Sequence, residues 1–209
     1  MESSIKLNID KLTLEGILSV PKDSTGLVLF AHGSGSSRFS PRNNFVATEL
    51  QKSGTGTLLI DLLSEEEDQD YATRFDIELL SRRLIIISEW ILENEETGKL
   101  SLGLFGASTG AAAALNASAY LGTDIKAVVS RGGRPDLAGD VLPKVKAPTL
   151  LIVGGNDFTV IELNNYAYER LGSSVKKLEI IEGATHLFEE PGTLERVSIL
   201  ASKWFKKYL

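Results

Sequence analysis

Leu100-Ser101-Leu102-Gly103-Leu104-Phe105-Gly106-Ala107-Ser108-Thr109-Gly110-Ala111-Ala112-Ala113-Ala114-Leu115 reads as an apolar strand, a Gly-Ala-Ser-Thr-Gly turn and a small-residue helix. A serine on a sharp strand-to-helix turn is held out of the sheet, where its hydroxyl can reach a substrate. Gly106 and Gly110, two residues to either side of Ser108, bring no side chain into the crowded turn. The four alanines from Ala111 let the helix backbone pack close to a sheet. Its first turn leaves free N–H groups and a positive dipole end beside Ser108. The expectation is a serine nucleophile and hydrolytic chemistry.

Such a turn predicts an acid and then a histidine further along the chain. Ala147-Pro148-Thr149-Leu150-Leu151-Ile152-Val153-Gly154-Gly155-Asn156-Asp157 reads as a buried strand, a Gly-rich loop and an aspartate. Lys177-Leu178-Glu179-Ile180-Ile181-Glu182-Gly183-Ala184-Thr185-His186 reads as another strand whose loop ends in histidine. Both groups fall just past strand C-terminal ends, where a parallel sheet delivers its ligands. The chain has 2 histidines, and His186 is the one that follows the turn. Asp124, Asp136 and Asp140 compete with Asp157 for the acid role. Asp136 and Asp140 follow a proline in a polar stretch, and Asp124 precedes a strand at the wrong end of the sheet. Asp157 is the best placed.

The other histidine lies in Leu27-Val28-Leu29-Phe30-Ala31-His32-Gly33-Ser34-Gly35-Ser36-Ser37, a strand running into a Gly/Ser-rich loop. A hydrolase needs two N–H donors aimed at the developing oxyanion. One is expected from the backbone of Thr109, the residue after the nucleophile. The second is expected from Ser34, with Gly33 and Gly35 as alternatives. His32 then has a structural role, its ring bonded to loop backbone. A metal site is not expected: no second histidine or carboxylate lies nearby at ligand spacing, and cysteine is absent.

At 209 residues the chain suits one large α/β core, and residues 1–209 are read as one domain. Hydrophobic residues make up 43%, as in packed globular proteins. The net charge of −6 argues against a nucleic-acid binder. No apolar run approaches the roughly 18 residues of a membrane span, and Met1–Asp10 lacks the basic start and apolar stretch of a secretion signal. A cytoplasmic protein is expected, with no nucleic-acid or membrane partner.

Residues 4–20 read as a hairpin ending at Pro21. Strands are expected near 26–31, 56–61, 100–105, 125–130, 148–153 and 177–182, and helices near 42–53, 72–96, 109–121, 160–171 and 192–208. The alternation implies a mostly parallel sheet covered on both faces. Glu65-Glu66-Glu67-Asp68-Gln69-Asp70 reads as a solvated loop.

With these elements in place the chain resembles the α/β-hydrolase superfamily, and within it the small dienelactone-hydrolase-like branch. His32-Gly33-Ser34-Gly35, Gly106-Ala107-Ser108-Thr109-Gly110, Gly155-Asn156-Asp157 and Ala184-Thr185-His186 carry the resemblance, which covers nearly the whole chain. Ser37-Arg38-Phe39-Ser40-Pro41-Arg42-Asn43 and Ser130-Arg131-Gly132-Gly133-Arg134-Pro135 look like a bacterial subgroup also found fused to phosphoribosyltransferase domains. The resemblance implies an eight-stranded sheet with the second strand antiparallel, and a triad of Ser108, Asp157 and His186. Dienelactone hydrolases proper carry a cysteine nucleophile. Serine here favours ordinary ester or thioester cleavage. The superfamily's usual lid position, Arg131 to Ala147, has room for one short helix and no cap domain.

The expected partner is a small ester-type substrate, without a cofactor; a homodimer stays open. Amide or peptide cleavage on the same triad, and a silent binding module on the same scaffold, are the rival readings. Arg131 and Arg134 follow a strand, and Arg38 and Arg42 flank the proposed oxyanion loop. Arg131 and Arg38 are candidates to bind an anionic group on the substrate; pairing with the chain's 28 acidic residues is the competing role.

Overall fold

The computed structural model describes residues 2–209. Strands β1 (Glu2–Ile9) and β2 (Leu12–Ser19) form a hairpin in which Ile9 faces Leu12. Asp10 and Lys11 between them both have positive φ, at 52° and 66°, the geometry of a two-residue turn matched to strand twist. Six further strands follow: β3 (Gly26–Ala31), β4 (Gly56–Ile60), β5 (Ser101–Ala107), β6 (Ile125–Arg131), β7 (Thr149–Gly154) and β8 (Lys176–Ile181). Their order across the sheet is β1-β2-β4-β3-β5-β6-β7-β8. β2 runs antiparallel to both neighbours and the other pairings are parallel. This is the expected α/β-hydrolase sheet. Every residue of β3, β4 and β7 is buried, which is why these strands read as unbroken apolar runs.

The described residues form six α-helices: α1 (Pro41–Lys52), α2 (Tyr71–Arg74), α3 (Ile77–Glu93), α4 (Thr109–Leu121), α5 (Phe158–Arg170) and α6 (Thr193–Tyr208). All but the short, unburied α2 pack on the sheet or on the helices that cover it. Two apolar layers result. On one face Leu29, Leu104 and Val128 pack with Leu84 and Ile87 of α3 and the alanines of α4. On the other, Phe30, Phe105 and Val129 pack with Val46 of α1 and Val197, Ala201 and Phe205 of α6.

The helix expected over 72–96 is two helices. Phe75 and Asp76 interrupt it, because the Asp76 carboxylate accepts the Leu79 N–H at 2.9 Å and starts α3 afresh. Apolar periodicity runs through the break and conceals it. Between β6 and β7 the chain makes a 3-10 segment, Pro135–Lys144, kinked at Gly139. No cap domain is inserted there. Among the described residues no helix is long and apolar enough to cross a membrane.

Candidate active site

Ser108 stands between β5 and α4 with φ 50° and ψ −123°. That region strains any residue with a Cβ, and it persists only where the surroundings enforce it. Here they do. A Cβ on Gly106 would stand 2.4 Å from the Ala111 Cα, and one on Gly110 would stand 2.1 Å from the Ala31 carbonyl oxygen. The bare backbones let α4 lie directly on β3 and β5. The Ser108 N–H donates to the Arg131 carbonyl at 3.3 Å, and the Ser108 carbonyl accepts from Arg134 N–H at 3.0 Å. The turn is thus pinned on both sides, and Ser108 is half-buried.

Asp157 follows β7 and His186 follows β8, and their side chains meet. His186 Nδ1 donates to Asp157 Oδ2 at 2.6 Å. That fixes the tautomer and leaves Nε2 as an acceptor. The loops that bring them together are tied to each other: Asn156 N–H donates to the Ala184 carbonyl, and Asn156 Nδ2 to the Gly183 carbonyl. Among the described residues Ser108 Oγ makes no hydrogen bond to His186. Such bonds are often long before substrate enters. Asp136 is occupied by Arg134, and Asp124 lies in the turn before β6, at the opposite end of the strand.

The loop after β3 lies against the serine. A Cβ on Gly33 would stand 2.9 Å from the Ser108 Cβ. His32 ties this loop down with both ring nitrogens. Nδ1 donates to the Gly33 carbonyl at 3.1 Å, and Nε2 accepts the Leu62 N–H at 3.0 Å. Burial holds the His32 pKa below its usual value. The Ser34 N–H donates to the Thr109 hydroxyl at 3.1 Å. The two expected oxyanion donors therefore belong to neighbouring residues, and the Thr109 side chain occupies the Ser34 donor in this state.

The arginines divide. Arg38 hydrogen-bonds Asp61 through both its backbone N–H and its guanidinium, and pairs with Glu15 at 2.6 Å. Its charge is spent between β2 and β4, so the substrate role expected of Arg38 gives way to a structural one. Arg134 is held by Asp136 at 2.8 Å. Arg131 is buried with no carboxylate partner among the described residues.

Two supporting groups escaped the sequence. Asn164 is buried in α5, and its Nδ2 donates to the Gly133 carbonyl, fixing the loop after β6. Gly132 passes so close to His186 that a Cβ there would be 3.0 Å from the His186 carbonyl oxygen. Neither carries a local signal, because each acts across elements far apart in the chain.

Comparison with known proteins agrees with this architecture. A dienelactone hydrolase from Anabaena variabilis superposes with TM-score 0.96 at 54% identity, covering 100% of this chain and 98% of that one. Est1E from Butyrivibrio proteoclasticus superposes with TM-score 0.83 at 16% identity over 98% of both chains, a likeness of fold alone. A provisionally named phosphoribosyl transferase of Mycobacterium tuberculosis, known from two strains, is 51% identical over 208 residues. The match covers 100% of this chain and 47% of that protein, so the chain spans about half the length of these curated relatives. No family model matches the chain. The fold and these relatives define an α/β hydrolase. Within that class the chain belongs to the dienelactone-hydrolase-like family, and its longer mycobacterial relatives carry the name of a phosphoribosyl transferase.

Proposed function

We propose that the chain is a serine hydrolase that cleaves a carboxylic ester or thioester through an acyl-enzyme. The single observation that carries the reading is the strained Ser108 at the sheet edge together with the 2.6 Å bond between His186 and Asp157. In the first step His186 Nε2 takes the Ser108 proton as Oγ bonds to the substrate carbonyl carbon. The carbonyl oxygen becomes an oxyanion held by the N–H of Thr109 and the N–H of Ser34. Ser34 turns from the Thr109 hydroxyl to do so. The carbonyl re-forms, and the alkoxide or thiolate leaves with the proton from His186. Asp157 holds the ring and stabilises the imidazolium. Water, deprotonated by the same His186, then attacks the acyl-enzyme and frees the acid and Ser108.

A fluorophosphonate probe tests the nucleophile, since only an activated hydroxyl attacks phosphorus quickly. Mass spectrometry is expected to find the adduct on Ser108 alone. Fast labelling that survives in Ser108→Ala would overturn the assignment. Parallel assays on ester, thioester and amide substrates set the reaction class.

A further inference from the structure

Strand β8 stands at one end of the sheet and pairs, among the described residues, with β7 alone. Its ladder shows which backbone groups are left over. The Thr149 N–H donates to the Val175 carbonyl at 2.9 Å, and the Gly155 N–H to the Ile181 carbonyl at 2.8 Å. Peptide groups alternate in direction along a strand, so Val175, Lys177, Glu179 and Ile181 turn theirs toward β7. Lys176, Leu178 and Ile180 turn theirs outward, past the last strand of the sheet.

An edge of this kind is a template for another strand, and natural edges are commonly guarded by charge. The charges of β8 are of both signs and stand symmetrically about Leu178, with Lys177 before it and Glu179 after it. Within one copy these two side chains pair with each other at the surface. Against a second copy of the strand they act as a key. Antiparallel registers that set outward-facing groups opposite one another, with most of the strand overlapping, are centred on Lys177, Leu178 or Glu179. Centring on Lys177 sets two lysines face to face, and centring on Glu179 sets two glutamates so. Like charges directly opposite are destabilising. Centring on Leu178 sets Lys177 of each copy opposite Glu179 of the other, in the closely spaced pairs where side chains lie nearest.

The apolar residues fit the same register. Leu178 packs against the core layer beneath α3 and α4, and it meets its own counterpart at the axis. Lys176 Nζ donates to the carbonyls of Tyr168 and Leu171 at the end of α5, so its charge is held away from the edge. Its methylene stem then lies opposite Ile180 of the second copy, a residue 47% exposed in the single chain. On the other face the exposed Val175 comes opposite Ile181.

We propose that β8 is a dimerisation edge: two copies of this chain pair antiparallel through β8 about a two-fold axis at Leu178, and the sheet runs on across both. Such an interface is isologous, the same surface on each copy. Because the two strands run in opposite directions, the carboxyl ends of the two sheets point opposite ways, and each copy keeps its own Ser108, Asp157 and His186.

Sedimentation equilibrium of the 209-residue chain over a concentration series is expected to approach twice the protomer mass. A monomer throughout overturns the proposal. Glu179→Lys and Lys177→Glu each set like charges opposite one another and are expected to weaken dimerisation at least about tenfold. An equimolar mixture of the two variants restores it, because lysines face glutamates only in the mixed dimer. Variants as dimeric as the parent, or variants folded by circular dichroism that do not associate on mixing, overturn this interface.

Cysteines report the register, and they decide the matter where a charge variant fails to fold. The chain has no cysteine of its own. Lys177→Cys and Glu179→Cys proteins oxidised together are expected to form the mixed disulfide, since the closely spaced pair sets the two Cα atoms about 4.5 Å apart. Self-linkage of Lys177→Cys in preference to the mixed link, or no link at all, overturns the register proposed.

Discussion

Ser108 is held in a backbone conformation that costs roughly 1–3 kcal/mol, and the surrounding contacts enforce it. The return is position: the hydroxyl is offered at the edge of the sheet rather than buried in it. Asp157 sits 29 residues before His186 in the chain, and the 2.6 Å bond between them is made by two loops. Replacing Asp157 by Asn swaps an acceptor for a group that can present its N–H to the ring, and so favours the wrong tautomer. Asp157→Asn is expected to lower kcat by about 10⁴ with the fold intact, read by steady-state kinetics alongside far-UV circular dichroism. A loss under about tenfold would pass the acid role to another carboxylate.

At the scale of elements, the site depends on how closely α4 approaches β3. Gly110 sits at the second position of α4, and a Cβ there would lie 2.1 Å from the Ala31 carbonyl oxygen and 2.7 Å from that of His32. These are backbone atoms at the end of a central strand and cannot move without moving the loop after β3. Gly110→Ala therefore forces helix and strand apart, although alanine is the better helix former. We expect it to cost at least ~2 kcal/mol of stability and to impair activity with every ester, measured by urea denaturation and kcat/KM. A variant as stable as the parent would show that the approach is slack. Gly122, by contrast, meets no heavy atom within 4 Å, so Gly122→Ala, whose cost is confined to its positive φ, serves as the control.

At the scale of the molecule, pH reaches stability through buried His32. Burial holds its pKa below 6.5 in the native state, while the unfolded chain takes up the proton near 6.5. The unfolded state thus binds more protons between the native pKa and about 6.5, so stability falls as pH drops through that window. The cause is structural: Nε2 accepts the Leu62 N–H, and a proton there removes the acceptor that joins the β3 loop to the segment after β4. Carboxylates act in a different window. Glu67, hydrogen-bonded by Arg83, has a lowered pKa, and its contribution is lost only at pH below about 4.5. The urea midpoint is expected to decline as pH falls below about 6.5, with the His32 ring of the native protein taking up its proton, by NMR, at a lower pH than an ordinary histidine. A midpoint that stays flat below that pH, or a ring that titrates as high as an ordinary histidine, would contradict this account.

The sequence alone determined the sheet, its order of elements and the chain positions of serine, aspartate and histidine. Those features are local: apolar runs in β3, β5 and β7, and Gly-rich turns at their carboxyl ends. The tertiary structure decided the rest. It broke the helix at Asp76, where a side-chain cap outweighed apolar periodicity. It joined the Ser34 N–H to the Thr109 hydroxyl across 75 residues. It also separated four arginines that look alike in the chain. Arg38 and Arg134 found carboxylates, Arg42 a weak surface one, and Arg131 none among the described residues. Pairing of charges depends on which loops the fold brings within a few ångströms, and a lone sequence carries no record of distances between segments far apart in the chain.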